Sequence, residues 1–300
     1  MKELHLRLPA TSANLGPGFD TLALALDLHL EIDASIAAEF SIHATGRSPD
    51  VCGDLERNLL LDVYRKTSVA NGRPVKPLSL RIRNGIPLGL GCGSSAAVRL
   101  AGVALASHFG ELGWSRDKIL AEATRLEGHP DNTAACWLGG FVAGSWDGAE
   151  LRTISLAAPA AWRALMVLPE KPLATMASRA VLPESYSRSD VVANLQRVAV
   201  LTAAFATGRA DLIADAMRDR VHQPYRSEVC PLLPKILRLS GTDSVLGVAL
   251  SGAGPAVLVL ISSEENAERI KKCIRELLQG EPVEIILLGL ENQCAFMRGD

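Results

Sequence analysis

The 300-residue sequence has no long apolar run, almost no net charge and no closely spaced pair of cysteines. The absence of any stretch of about 18 uncharged apolar residues argues against a transmembrane helix. Lysine and arginine together number 31 and aspartate and glutamate 33, so the formal net charge is −2. Such a balanced chain lacks the positive field that attracts nucleic acid or an anionic membrane. We therefore expect neither as a partner.

The six cysteines are scattered and include no Cys-x-x-Cys pair, so a zinc site is not expected. Most of them lie among apolar or small residues, where cysteine behaves as a small hydrophobic side chain. The first residues, from Met1 to Arg7, alternate between polar and apolar and lack the apolar core of a signal peptide. These features predict a protein of the reducing cytoplasm.

Length and composition predict an ordinary globular protein with two domains. Apolar residues make up 48% of the chain and charged residues 21%, which is far from the composition of a disordered protein. Strand and helix patterns are mixed without regular alternation. This predicts an α+β fold rather than a doubly wound sheet. We expect the first domain to comprise residues 1–155 and the second residues 156–300.

Hydrophobic periodicity and turn signals predict the individual elements. Strands are expected at residues 4–8, 22–36, 78–83, 141–144, 162–168, 247–250, 256–261 and 283–290. Helices are expected at residues 58–70, 94–108, 115–127 with Ser115 as N-cap, 174–180, 190–207, 210–221, 232–239 and 264–278.

The strongest local signal is the run Pro87-Leu88-Gly89-Leu90-Gly91-Cys92-Gly93-Ser94-Ser95-Ala96-Ala97. Its alternate glycines let the backbone approach a ligand closely and adopt positive φ. A predicted helix follows directly, and a helix N-terminus after a glycine loop favours an anion. A serine there can also bind a magnesium ion that bridges phosphates. The alternative is a plain strand-to-helix turn with Ser94 as the N-cap.

A polar turn follows the first predicted strand, in Pro9–Asp20. Asn14 and Asp20 flank a rigid Gly-Pro-Gly segment there. An amide and a carboxylate on such a turn can bind a polar small molecule, especially one with an ammonium group. The alternative is that both side chains bond only to the local backbone.

A third polar segment contains Glu127, His129, Asp131 and Asn132. Glu127 ends a predicted helix, where a carboxylate opposes the helix dipole and invites a compensating cation such as Mg²⁺. The alternative is a solvated loop with a proline-initiated turn.

A second glycine loop places Gly252 and Gly254 between two apolar predicted strands. A plain hairpin needs only two turn residues, so the extra glycines indicate that a ligand or the other domain approaches closely.

In this order and spacing, the four segments resemble the GHMP kinases, a superfamily that includes galactokinase, homoserine kinase and mevalonate kinase. The resemblance covers essentially the whole chain. Pro9–Asp20, His129–Asn132 and Arg179–Pro183 resemble the homoserine kinases in particular. The resemblance implies a two-domain fold, with the phosphate loop in an N-terminal mixed α/β domain and a ferredoxin-like α+β domain at the C-terminus. It further implies transfer of phosphate from ATP to the hydroxyl of L-homoserine.

The resemblance also implies which residues bind each ligand. ATP would be bound by Pro87, Leu88, Gly89, Leu90, Gly91, Cys92, Gly93, Ser94, Ser95, Ala96 and Ala97, with Gly252 and Gly254. Mg²⁺ would be bound by Ser95 and Glu127. L-homoserine would be bound by Asn14, Asp20, His129, Arg179 and Arg226. Asp131, Asn132, Thr175 and Arg179 would lie at the reacting groups.

Two residues depart from the family pattern, since Cys92 replaces the usual leucine and Leu90 a common arginine. Both changes are expected to act on ATP affinity, and a helix N-terminus beside Cys92 favours a lowered thiol pKa. Two alternatives stay open: another small-molecule GHMP kinase acting on L-threonine, mevalonate or shikimate, or a non-catalytic GHMP fold that senses a metabolite. The resemblance also leaves open a homodimer and the use of a general base.

Overall fold

The computed structural model describes residues 2–299, apart from the side chain of Thr175. Within these residues the strands form a seven-stranded and a four-stranded sheet. The strands are β1 (Glu3–Ala13), β2 (Leu22–Ile36), β3 (Ser41–Gly46), β4 (Leu78–Asn84), β5 (Phe141–Trp146), β6 (Leu151–Leu156), β7 (Arg163–Pro169), β8 (Val245–Leu250), β9 (Val257–Ile261), β10 (Val283–Gly289) and β11 (Phe296–Gly299).

The helices lie on these sheets and between them. They are α1 (Pro49–Gly53), α2 (Leu59–Ala70), α3 (Ser94–Phe109), α4 (Arg116–Glu127), α5 (Asp131–Leu138), α6 (Thr175–Ala180), α7 (Arg188–Thr207), α8 (Ala210–Ala216), α9 (Gln223–Arg226), α10 (Leu232–Ile236) and α11 (Ala267–Leu278). Short 3₁₀ turns lie at Leu237–Leu239 and Glu264–Asn266.

The larger sheet has the strand order β11-β1-β2-β4-β3, and β5 joins β2 to β6. Its pairs are antiparallel except β3 with β4. The first half of β1 buries alternate side chains, Leu4, Leu6 and Leu8, because successive residues of a strand point to opposite faces. They share a core with α3, whose alanine-rich sequence lets it lie almost fully buried.

The smaller sheet is antiparallel with the order β10-β7-β9-β8. Its chain order, strand–helices–strand–strand–helix–strand, is that of the predicted ferredoxin-like domain. Strand β7 is buried on both faces. Leu165 and Val167 pack in a core with α10 and α11, whereas Met166 and Leu168 belong to the large core. The large core therefore contains side chains from both sheets, and a second core lies on the other face of the smaller sheet.

The α+β class and the two-domain GHMP arrangement are confirmed. The helix predicted at residues 210–221 is wrong in length, since α8 ends at Ala216 with Met217 as its C-cap. Strands β3, β6 and β11 and the helices α1, α5 and α9 were not predicted. The division at residue 155 stays a prediction, and β11 returns from the C-terminal end to pair with β1. No helix in residues 2–299 combines the length and the apolar character that crossing a bilayer requires.

Candidate active site

The glycine loop between β4 and α3 has a backbone that only glycine tolerates. Gly91 and Gly93 have φ of +85° and +72°. A Cβ atom on Gly91 would lie 2.3 Å from the carbonyl oxygen of Ser251, and one on Gly93 would lie 1.9 Å from Oγ1 of Thr11. The loop is therefore pressed against the N-terminal polar turn on one side and the C-terminal glycine loop on the other.

The N-terminus of α3 is the main electrostatic feature of this loop. Gly93 is the N-cap, so the alternative with Ser94 in that position is wrong. No side chain of the described residues caps the helix, and its first turn has no acidic residue. The free amide groups and the positive end of the helix dipole lie beside Ser94 and Ser95. This arrangement is suited to bind a phosphate.

Hydrogen bonds join three loops that are far apart in the sequence. The amide of Thr11 donates to Cys92 O (3.1 Å), and the amide of Gly252 donates to Ala13 O (3.0 Å). The hydroxyl of Ser251 donates to Gly91 O (2.7 Å). Hydrogen bonds therefore tie the polar turn to both glycine loops, and these three segments form part of the wall of a pocket of about 120 Å³.

The pocket wall contains most of the residues that the sequence predicted. These are Asn14, Asp20, Gly89, Gly91, Cys92, Gly93, Ser94, Ser95, Glu127, His129, Asp131, Asn132, Arg179, Arg226, Gly252 and Gly254. Of the other predicted ATP ligands, Ala96 and Ala97 are fully buried and Leu90 packs against the core. Pro87 is buried and Leu88 half-buried in the segment before Gly89. Thr175 begins α6, but its side chain lies outside the described part of the structure.

Asp20 and Arg179 form a bidentate ion pair at the edge of the pocket. Nη1 and Nη2 of Arg179 donate to the two carboxylate oxygens over 3.0 and 2.7 Å. The side chain of Asn14 accepts from the amide of Asp20 (3.0 Å) and donates to Gly252 O (2.8 Å). Asn14 therefore orients Asp20 and ties the polar turn to the C-terminal loop, so part of the predicted local bonding is present.

Arg226 is a buried cation, with 1% of its surface exposed. It donates to Ser178 O and to Gly252 O, each over 3.2 Å, and its guanidinium lies 5.2 Å from the ring centre of Phe19. Burial and the nearby charge of Arg179 lower its pKa. Among residues 2–299, no carboxylate lies within ion-pair distance of Arg226. Because it lines the pocket, an anionic ligand is the natural partner for its charge.

His222 is a residue of this site that sequence reasoning missed. It is fully buried, stacks on Phe19 and donates from Nε2 to Gly16 O (2.7 Å). Its Nδ1 accepts from Nη1 of Arg226 (3.3 Å). Burial lowers the pKa of His222, so the imidazole is neutral and holds both the Gly-Pro-Gly turn and Arg226 in place. The available signal was its spacing of four residues from Arg226, since His222 is the N-cap of the short helix α9 that ends at Arg226.

The segment after α4 is not a solvated loop, because α5 begins at Asp131 and buries that carboxylate to 1% exposure. Oδ1 of Asp131 accepts from the amide of Asn132 (2.7 Å) and lies 2.5 Å from Nδ1 of His129. Burial opposes the charged imidazole, but the hydrogen bond and charge of Asp131 raise the pKa of His129 overall. Oδ1 of Asn132 accepts from the hydroxyl of Thr11 (2.6 Å).

Ser95 and Glu127, the predicted metal ligands, lie next to each other. The hydroxyl of Ser95 lies 3.4 Å from Oε2 of Glu127. The compensating cation in the structure is a residue that the sequence did not reveal, since Nη1 of Arg99 lies 2.6 Å from the same Oε2 and also donates to Ser95 Oγ.

The expectation of a lowered thiol pKa at Cys92 is wrong. Its side chain is only 3% exposed, and burial raises the pKa of Cys92 to about 12. The desolvation of the thiolate outweighs the positive charge of Arg47, which lowers the pKa.

Comparisons with known proteins agree with this geometry. Residues 58–140 match the family model for the N-terminal domain of GHMP kinases, and residues 201–280 match the one for the C-terminal domain. The chain belongs to the GHMP kinase family. Members of this family are ATP-dependent phosphotransferases that act on hydroxyl groups, which agrees with an open helix N-terminus facing a polar pocket.

Individual GHMP kinases cover nearly the whole chain. A homoserine kinase of Solibacter usitatus is 45% identical over 92% of this chain and 90% of its own length. A homoserine kinase of Desulfitobacterium hafniense is 36% identical over 97% of this chain and 99% of its own length. The crystal structure of homoserine kinase from Cytophaga hutchinsonii superposes with a TM-score of 0.82 at 25% identity, covering 99% of this chain and 97% of that one.

Proposed function

We propose that this GHMP kinase is a homoserine kinase, which transfers the γ-phosphate of ATP to the side-chain hydroxyl of L-homoserine. The product is O-phospho-L-homoserine, an intermediate of threonine biosynthesis. The homoserine kinases reported above support this substrate, because they align along almost the full chain.

The observation that carries the proposal is the charge pattern of the pocket. Asp20 offers a carboxylate to an ammonium group, and Arg179 and Arg226 offer guanidinium groups to a carboxylate. Guanidinium binds carboxylate through paired hydrogen bonds, which fixes the orientation of the ligand as well as its charge. An acceptor with both an ammonium and a carboxylate group matches this arrangement. Mevalonate and shikimate lack the ammonium group.

The glycine loop in the pocket wall would supply the phosphate site. The amide groups at the start of α3 and the glycine-loop backbone face the position proposed for the ATP phosphates. Ser95 and Glu127 would hold Mg²⁺, and their oxygen atoms are 3.4 Å apart. Adjacent ligands of one Mg²⁺ ion, each at about 2.1 Å, lie about 3 Å apart, so this donor pair fits the ion. When bound, the ion would neutralise charge on the transferred phosphoryl group.

The remaining polar residues would position the acceptor hydroxyl. Asp131 uses Oδ1 to hold His129 and the amide of Asn132, and it is almost completely buried. We propose that Asp131 acts by holding its neighbours and that the hydroxyl proton passes to the γ-phosphate without a dedicated base. Phosphoryl transfer depends mainly on positioning and charge neutralisation, so it does not require strong activation of the hydroxyl.

A coupled assay of ADP formation over a panel of alcohols tests the proposal. L-homoserine should be turned over well above L-threonine, mevalonate and shikimate with the same enzyme and ATP concentration. Turnover of mevalonate or shikimate at least equal to that of L-homoserine would assign the chain to another GHMP kinase activity. Absence of ADP formation with every alcohol, from protein that binds L-homoserine, would instead support a metabolite sensor.

A further inference from the structure

Arg99 places its guanidinium at the two oxygen atoms that are proposed to bind Mg²⁺. It lies four residues after Ser95 on α3, a spacing that puts both side chains on the same face of a helix. Its Nη1 is 2.6 Å from Oε2 of Glu127 and also donates to Oγ of Ser95. The pair is mostly shielded from water, since the side chains of Arg99 and Glu127 are 23% and 11% exposed.

We infer that Arg99 is a resident counter-cation of Glu127, which competes with Mg²⁺ for Ser95 and Glu127 and makes metal binding depend on the nucleotide. A magnesium ion on these oxygens needs the lone pairs to which Nη1 is hydrogen-bonded. A guanidinium cannot give up its charge in a protein, so its repulsion of the metal is relieved only when the side chain moves away.

The nucleotide can supply a new partner for the displaced guanidinium of Arg99, which a metal ion alone cannot do. Displacing Arg99 from Glu127 leaves a partly buried guanidinium without its partner, which is unfavourable. The phosphates of ATP bring negative charge to the same region and can accept hydrogen bonds from a guanidinium. In the nucleotide-free protein, Arg99 also neutralises a carboxylate that would otherwise repel the incoming phosphates. The inference rests on the ATP-dependent part of the proposed function and does not involve the acceptor.

Titration of the full-length, nucleotide-free protein with Mn²⁺, followed by the electron paramagnetic resonance signal of the free ion, tests this inference. Displacement by Mg²⁺ then gives the affinity for that ion. We expect Arg99→Met to bind the ion at least about 10-fold more tightly than the wild type, a change of ~1.4 kcal/mol. Arg99→Lys keeps the positive charge and should gain much less. Adding Glu127→Gln to Arg99→Met should remove the gain.

Arg125→Met is a matched control, because Arg125 pairs with Glu122 over 2.7 Å on α4 but neither residue lines the pocket. It should leave Mn²⁺ affinity at the wild-type value. An affinity of Arg99→Met equal to or weaker than that of the wild type would overturn the inference. If the circular dichroism of Arg99→Met shows that it has not folded, Arg99→Gln is judged by the same criterion. Since no acceptor is present, failure here leaves the homoserine assay unaffected, and failure of that assay leaves this result standing.

Discussion

Asp20 and Arg179, 159 residues apart in the sequence, are joined by two parallel hydrogen bonds at the edge of the pocket. The guanidinium therefore already holds a carboxylate in the geometry proposed for the carboxylate of the substrate. On binding, the ammonium group of L-homoserine would replace Arg179 as the partner of Asp20, and its carboxylate would replace Asp20 as the partner of Arg179. Each protein charge would thus exchange one partner for another, and neither would be left unpaired.

Replacing Arg179 by lysine tests this exchange. Arg179→Lys keeps the charge but removes the planar fork, so the KM for L-homoserine should rise about 10- to 100-fold, as expected for a lost hydrogen bond between charged groups. The KM for ATP should change little. Arg163→Lys is the control, since Arg163 pairs with Glu264 outside the pocket. An unchanged KM for L-homoserine in Arg179→Lys would remove Arg179 from the substrate site.

The proposed metal ligands should differ in importance because one is charged and the other neutral. We expect Glu127→Gln to lower kcat at least about 10-fold and to raise the Mg²⁺ concentration needed for half-maximal rate, with a smaller effect for Ser95→Ala. Steady-state rates over a Mg²⁺ titration measure both. Glu122→Gln, which alters a carboxylate on the same helix outside the pocket wall, serves as control. A near-normal rate and metal dependence in Glu127→Gln would rule out this ligand pair.

Asp131→Asn separates a positioning role from that of a general base. A positioned general base contributes about 10²–10⁴-fold to the rate. If Asp131 acts by holding His129 and Asn132, kcat should fall by less than this range, with the pH–rate profile retaining its shape. A loss within the range together with a shifted profile would make Asp131 the base. Single-turnover measurements across pH give both quantities.

The sequence revealed those parts of the site whose chemistry is local. The run from Gly89 to Ser95 is informative because positive φ, close approach and a helix start all leave their marks on neighbouring residues. Strand β2 was predicted with its observed bounds because its apolar residues run through the whole segment, which is again a local pattern.

Features that depend on distant parts of the chain were not predictable. The pairing of Arg99 with Glu127 joins α3 to the end of α4, and nothing in either segment specifies the distance between them. Strand β11 is four residues long and mostly exposed, so only its pairing with β1 defines it. For His222 the only signal was its spacing from Arg226, because its other partner, Gly16, comes near it only in the folded protein.

The buried imidazole of His222 should make the folded protein sensitive to acid. Burial lowers its pKa below the ordinary 6.5, so between these two values the unfolded chain binds more protons than the folded one. The free energy of unfolding should therefore fall as the pH is lowered below about 6.5. In His222→Gln, which cannot be protonated, the decrease in the urea midpoint from pH 6.5 to 5 should be smaller. His43→Gln, an exposed position on β3, should behave like the wild type. An equal pH dependence in His222→Gln would contradict the assignment.

The most direct test of the account compares L-homoserine with two analogues that each lack one of its charges. The analogue 4-hydroxybutanoate lacks the ammonium group and 3-aminopropan-1-ol lacks the carboxylate, while both keep the reacting hydroxyl. Because each deletion leaves a charged group of the pocket unpaired, kcat/KM should fall at least about 100-fold for either analogue. A value within a few-fold of that for L-homoserine, for either analogue, would contradict the proposal that Asp20, Arg179 and Arg226 select an amino acid.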